Sequence, residues 1–156
     1  MKNHVSKVQK EVLLEMLEQH KFTSSFSLNK INSENVNFRL NEKTASVGFI
    51  YRHIGETMNT FAQFLGIKTD VVNTTLAQID TGQTYDIEIS RKLVERGYST
   101  FEKLITETPD EDWLKKVETP FFGTITKIRL FAHALFHTSH HCGQISSALA
   151  KGKNIE

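Results

Sequence analysis

Phe136-His137-Thr138-Ser139-His140-His141-Cys142-Gly143-Gln144-Ile145 carries three of the chain's seven histidines, and a fourth, His133, lies just upstream. The stretch lies within a proline-free segment, Ile125 to about Ala150, that reads as one long helix. At about 100° per residue, Arg129, His133, His140, Ser147 and Lys151 share a narrow arc, the expected solvent face. His137 and His141 fall outside it, beside Leu130, Ala134, Ile145 and Ala148. The pair therefore faces other helices. Phe136 falls near the solvent arc and is expected to pack on a loop or a second subunit.

Three further helices complete the bundle. Val5, Val8, Val12, Met16 and Leu17 recur at helical spacing among charges, predicting a first amphipathic helix from about residue 4 to about 21. Residues 22–40 read as irregular, with a helical turn around 32–37. A second helix starts at Thr44 or Ser46 and ends near Leu65, where Gly66 stops it. Its apolar face is Val47, Ile50, Ile54, Met58, Phe61 and Leu65, with His53 on the shoulder and Arg52, Glu56, Asn59 and Gln63 on the polar side. Residues 68–85 form a polar connection long enough to cross a bundle or cover a site. Ile87, Val94, Tyr98, Phe101 and Ile105 mark a third helix ending by Pro109. A turn at 109–112 then presents Trp113 and Leu114. Residues 117–123 link to the last helix, with Thr124 as its expected cap. No strand alternation stands out. The fold class is all-α, a four-helix bundle, with residues 1–156 as a single domain. Trp113 and the eleven phenylalanines are assigned to the core, and Gly143 to a close helix contact.

Composition narrows the function. At 38% hydrophobic and 24% charged, the chain is neither disordered nor fibrous. A net charge of +1 offers no field to attract nucleic acid or an anionic membrane. The N-terminus lacks the apolar core of a signal peptide, and no run reaches the roughly 20 apolar residues of a membrane helix. The one cysteine, Cys142, excludes an internal disulfide and suits a reducing cytoplasm.

Histidines four apart on a helix stand one turn apart on the same face, so His137 and His141 can reach one ion. Two ligands make a poor site. His53 is the one inward-leaning candidate for a third, and a three-His set leaves positions open for water or substrate. Cys142 reads as a small buried thiol neighbouring that site. Glu56, Asn59 and Gln144 are candidates to bond the ligands from behind. No general base stands out.

The stretch 136–145, with H-x-x-x-H followed by one residue and then Gly-Gln-aliphatic, resembles the last-helix signature of the DinB/YfiT-like superfamily. Ser46-Val47-Gly48-Phe49-Ile50-Tyr51-Arg52-His53-Ile54-Gly55 resembles its second-helix element, and Phe122-Gly123-Thr124-Ile125-Thr126 the approach to its last helix. The resemblance implies an up-down-down-up bundle, His53, His137 and His141 as metal ligands, nickel or zinc as the ion, and a homodimer. It implies a metal-dependent enzyme acting on a small molecule. Conjugation or use of a low-molecular-weight thiol stands slightly ahead of hydrolysis. The alternative is a non-catalytic binding or stress-response protein with a structural or vestigial ion. In one place the chain departs: Cys142 stands where the superfamily often has arginine, so any anion-binding role of that arginine is lost or filled elsewhere.

Overall fold

The computed structural model describes residues 2–155, with side chains from residue 9 onward. Among them are four long helices: α1 (Lys2–Leu28), α2 (Val47–Phe64), α3 (Ile87–Glu107) and α4 (Lys127–Lys151). Ser46 opens α2, its hydroxyl accepting the Phe49 N–H at 3.2 Å, and Gly66 follows the helix at φ +101°. Asp86 opens α3 by accepting the Ile89 N–H at 2.8 Å. Each side-chain oxygen satisfies a backbone donor that the first helical turn leaves free.

Contact pairs give the helix directions. Arg52 meets Ser90 and Gly55 abuts Leu93, while further along Met58 abuts Gly97, so α2 and α3 run parallel. His53 meets His141 whereas Phe61 meets His133, so α2 and α4 run antiparallel. His20 reaches the Leu135 carbonyl and the Tyr98 hydroxyl, while Lys10 reaches the Thr106 carbonyl; α1 is therefore antiparallel to α3. Cys142 bonds to Ser24 and Ser27, one step beyond the His20–Leu135 contact, so α1 and α4 are parallel. The result is an up-down-down-up four-helix bundle. Its centre holds Phe101, Phe131 and Trp113, with Phe131 edge-on to both other rings at 5.6 Å.

Several expectations are corrected. Helix α1 runs on to Leu28 instead of ending near residue 21. Val12 and Met16 are about half exposed; Leu17, Ser24, Ser27 and Leu28 are buried instead, because α1 turns that side to α3 and α4. The side chains of Val5 and Val8 lie outside the described residues. Short strands exist. β1 (Phe38–Arg39) pairs with β4 (Lys153–Asn154), and β2 (Lys116–Thr119) forms an antiparallel hairpin with β3 (Gly123–Thr126). Thr124 lies in that hairpin opposite Glu118, so Thr126 is the residue that precedes α4. Glu56 and Asn59 are buried rather than solvated, since α2 is covered on that side by α3 and the connection. The Asn59 amide donates to the Gly55 and Leu93 carbonyls, joining α2 to α3. A Cβ on Gly143 would meet nothing within 4 Å, whereas Gly55 and Gly97 mark the close α2–α3 approach. Five phenylalanines, at 22, 26, 121, 122 and 136, are exposed.

His20 bridges three helices. Its Nε2 lies 2.9 Å from the Leu135 carbonyl, so that nitrogen carries the proton, and Nδ1 accepts from the Tyr98 hydroxyl at 3.0 Å. Burial lowers its pKa below the ordinary 6.5, the Leu135 bond only partly opposing this. The unfolded chain therefore binds more protons, and folding stability falls as pH drops from about 6.5 through the depressed value. Urea titrations in chelator at pH 7 and pH 5 should show lower stability at pH 5. His20→Gln should reduce that difference; an unchanged difference would exclude His20 as a contributor.

Candidate metal centre

His53 lies midway along α2, and His137 and His141 lie one turn apart on α4, where the antiparallel helices cross. His53 Nε2 is 3.2 Å from His137 Nε2, and His141 Nε2 is also 3.2 Å from His137 Nε2. One ring nitrogen from each of the three lies within 4.8 Å of the others. Two imidazoles bound tetrahedrally to zinc at about 2.0–2.1 Å would place their nitrogens about 3.3 Å apart, so the spacing fits a single divalent ion.

The outer ring nitrogens decide what the inner ones present. His53 Nδ1 is 3.1 Å from Thr75 Oγ1, whose own proton goes to Glu56 Oε2 at 2.9 Å. A hydroxyl has one proton, so at this contact the imidazole donates and His53 Nε2 is left as a lone pair. His141 Nδ1 donates to Gln144 Oε1 at 2.7 Å, which leaves its Nε2 a lone pair too. Two lone pairs aimed at a third ring nitrogen form a poor hydrogen-bond cluster and a good set of cation ligands.

Charge points the same way. Burial, then the neighbouring charge of His141, lowers the His53 pKa to about 4. Burial, then His141, His53 and the two outer histidines, lowers His137 to about 3. Burial lowers His141 as well, against its bond to Gln144. All three are neutral at pH 7, the form that binds metal.

The remaining sequence candidates fall differently. His140 is exposed, as its arc implied. His133 is not solvent-facing. It is half-buried against Phe61 (5.2 Å) and Phe122 at the tip of the β2–β3 hairpin (4.4 Å), with its ring centre 5.9 Å from that of His137. Cys142 is buried on the far side of α4, bonded to Ser24 and Ser27 of α1, and burial raises its thiol pKa. Gln144, one of the candidates to bond a ligand from behind, does so, accepting from His141 Nδ1. Thr75 was missed. The available signal was that His53, Glu56 and Thr60 share one arc of α2; that arc receives residues 73–75 of the connection.

A four-helix bundle with three neutral histidines, one buried and two half-buried, converging between α2 and α4 defines a class of helical proteins with a metal-competent centre. The chain belongs to the DinB superfamily, whose model matches residues 13–145. Among solved structures, a DinB-like protein from Bacillus cereus is similar in fold. Its TM-score is 0.72 at 16% identity, over 94% of this chain and 95% of that one. YfiT from Bacillus subtilis is similar at TM-score 0.67 and 16% identity, over 93% of this chain and 88% of that one. It is described as a probable metal-dependent hydrolase with an unusual four-helix bundle topology. No curated protein matches the chain. Among the described residues, no helix is long and apolar enough to cross a membrane.

Proposed function

We propose that the protein is a metal-dependent enzyme acting on a small molecule, with His53, His137 and His141 as the ligands of one divalent ion, nickel or zinc. The observation that carries this is the convergence of three neutral imidazole nitrogens whose outer partners turn two lone pairs inward. Such an ion supplies Lewis acidity, lowering the pKa of a bound thiol or water so that a nucleophile forms at neutral pH. The chain's own residues hold the three rings in register. Burial keeps them unprotonated. Phe121 and Phe122, exposed on the hairpin beside His133, offer apolar contact to a substrate approaching from that side.

A low-molecular-weight thiol as substrate, and transfer of that thiol to an electrophile, stand slightly ahead of hydrolysis. The description of YfiT supports the hydrolytic branch. The deciding assay loads the protein, prepared without a histidine tag, with nickel or zinc and measures its ion content. The same sample is tested on thiol plus electrophile and on esters and amides. Turnover with one class and not the other settles the branch. One bound ion with no turnover on either class favours a structural ion, and no uptake removes the proposal. The same reading makes the chain a cytoplasmic homodimer. The lone cysteine kept as a buried thiol and the exposed Phe136 on the outer face of α4 support it. A single-chain mass by light scattering would remove the dimer.

A further inference from the structure

The connection between α2 and α3, residues 65–86, does more than span the bundle. Glu56, 2% exposed, is met by four donors from two successive loop residues. Its Oε2 accepts the Thr74 N–H at 2.7 Å, the Thr75 N–H at 3.1 Å and the Thr75 hydroxyl at 2.9 Å, while Oε1 accepts the Thr74 hydroxyl at 2.9 Å. Asn73 clamps the same turn, accepting the Leu76 N–H at 2.8 Å and donating to Thr60 at 3.0 Å. The turn thus docks on the arc of α2 that carries His53. Docking alone would need only the backbone N–H groups. The Thr75 hydroxyl also meets His53 Nδ1, so it joins the carboxylate to the ring.

We infer that Thr75 and Glu56 are positioning residues for the metal centre, a relay in which the carboxylate orients the hydroxyl and the hydroxyl oxygen holds the His53 Nδ1–H. The Nε2 lone pair is then fixed toward His137. The relay rests on the metal reading for its purpose, not for its geometry. Polarity runs one way: Thr75 donates its hydroxyl hydrogen bond to Glu56 and accepts from His53 Nδ1–H. The other hydroxyl near Nδ1, that of Thr57, is farther away at 3.4 Å. The relay makes the connection part of the site, because a ring free to rotate or to carry its proton on Nε2 must first be reoriented or change tautomer before Nε2 can bind an ion, which weakens binding. Partners of metal-bound histidines typically contribute about 10–100-fold to metal affinity.

The test uses full-length protein with two readouts. In metal-free wild type, imidazole nitrogen NMR should show His53 protonated on Nδ1. Thr75→Val keeps the shape and removes the hydroxyl; it should shift His53 toward the Nε2–H tautomer and weaken zinc binding about 10–100-fold in a chelator competition. Thr75→Ser restores the hydroxyl and should restore both. A metal-free His53 protonated on Nε2 in wild type overturns the relay even if no variant folds. So does a Thr75→Val protein with wild-type tautomer and zinc affinity. If wild type takes up no zinc, the metal reading fails while the tautomer measurement still decides the relay.

Discussion

His137→Ala protein loaded with nickel or zinc is expected to retain no more than about a tenth of the wild-type ion content, since two histidines on separate helices do not complete a site. Residue 137 is the sharpest choice because its Nε2 is the atom that the other two Nε2 atoms both approach at 3.2 Å. Without it, His53 and His141 face one another with ring centres 4.7 Å apart and nothing to join their lone pairs. The variant should still fold. The lost ring is only half-buried, and what alanine removes is a polar ring whose burial is already unfavourable to its charged form. Circular dichroism and melting in chelator should therefore match wild type closely. In metal the wild type should melt higher than His137→Ala, by the binding free energy that the folded state alone enjoys. His133→Ala is the control. Its ring lies against Phe61 and Phe122, so ion content should stay near wild type. Wild-type ion content in His137→Ala would refute the three-histidine centre.

How much of this was readable from the chain depends on whether the signal is local. Apolar spacing and turn residues place α2, α3 and α4 within a few residues. The i, i+4 histidine pair follows from helix geometry alone. His53 could be singled out because only one face of α2 is apolar enough to be inward, and His53 flanks it. What could not be read depends on contacts between distant segments. Glu56 and Asn59 look like a solvated face until α3 and residues 73–75 cover them. His133 sits on the solvent arc of its own helix, yet the hairpin places Phe122 over it. That hairpin reads as a link in the sequence because β2 and β3 are four residues each, too short to show alternation. On α1, apolar residues occur nearly all round the helix. Periodicity then favours no face, and Val12 and Met16 turn out to be the exposed side. Cys142 neighbours His141 in sequence, but one residue along a helix is a turn of about 100°, which carries its thiol to α1.

Gly55→Val should destabilise the fold by about 3 kcal/mol, an overpacking cost at the upper end of the usual range. A Cβ built on Gly55 lies 2.6 Å from Leu93 Cβ, 3.1 Å from the Val94 nitrogen and 3.2 Å from the Leu93 carbonyl carbon. Two of these neighbours are backbone, and the third is fixed to it. No flexible side chain can swing aside, so α2 and α3 must move apart. Their separation would strain the Asn59 bond to the Leu93 carbonyl, which is made at this crossing. Alanine at residue 55 meets the same Cβ clash but recovers about 1 kcal/mol of helix propensity over glycine, so its loss should be smaller. For a chain of 156 residues the valine variant's melting temperature should fall by about 6–12 °C. The damage should also reach the metal centre. His53 lies two residues earlier and points to the opposite side of α2, so displacing α2 from α3 moves its ring against the α4 histidines. Zinc affinity should therefore drop in the folded fraction of Gly55→Val even though no ligand is altered. Unchanged melting would mean that the α2–α3 crossing is looser than these distances describe. Lowered melting with unchanged zinc affinity would mean that His53 is held by the Thr75 contact alone, independent of the position of its helix.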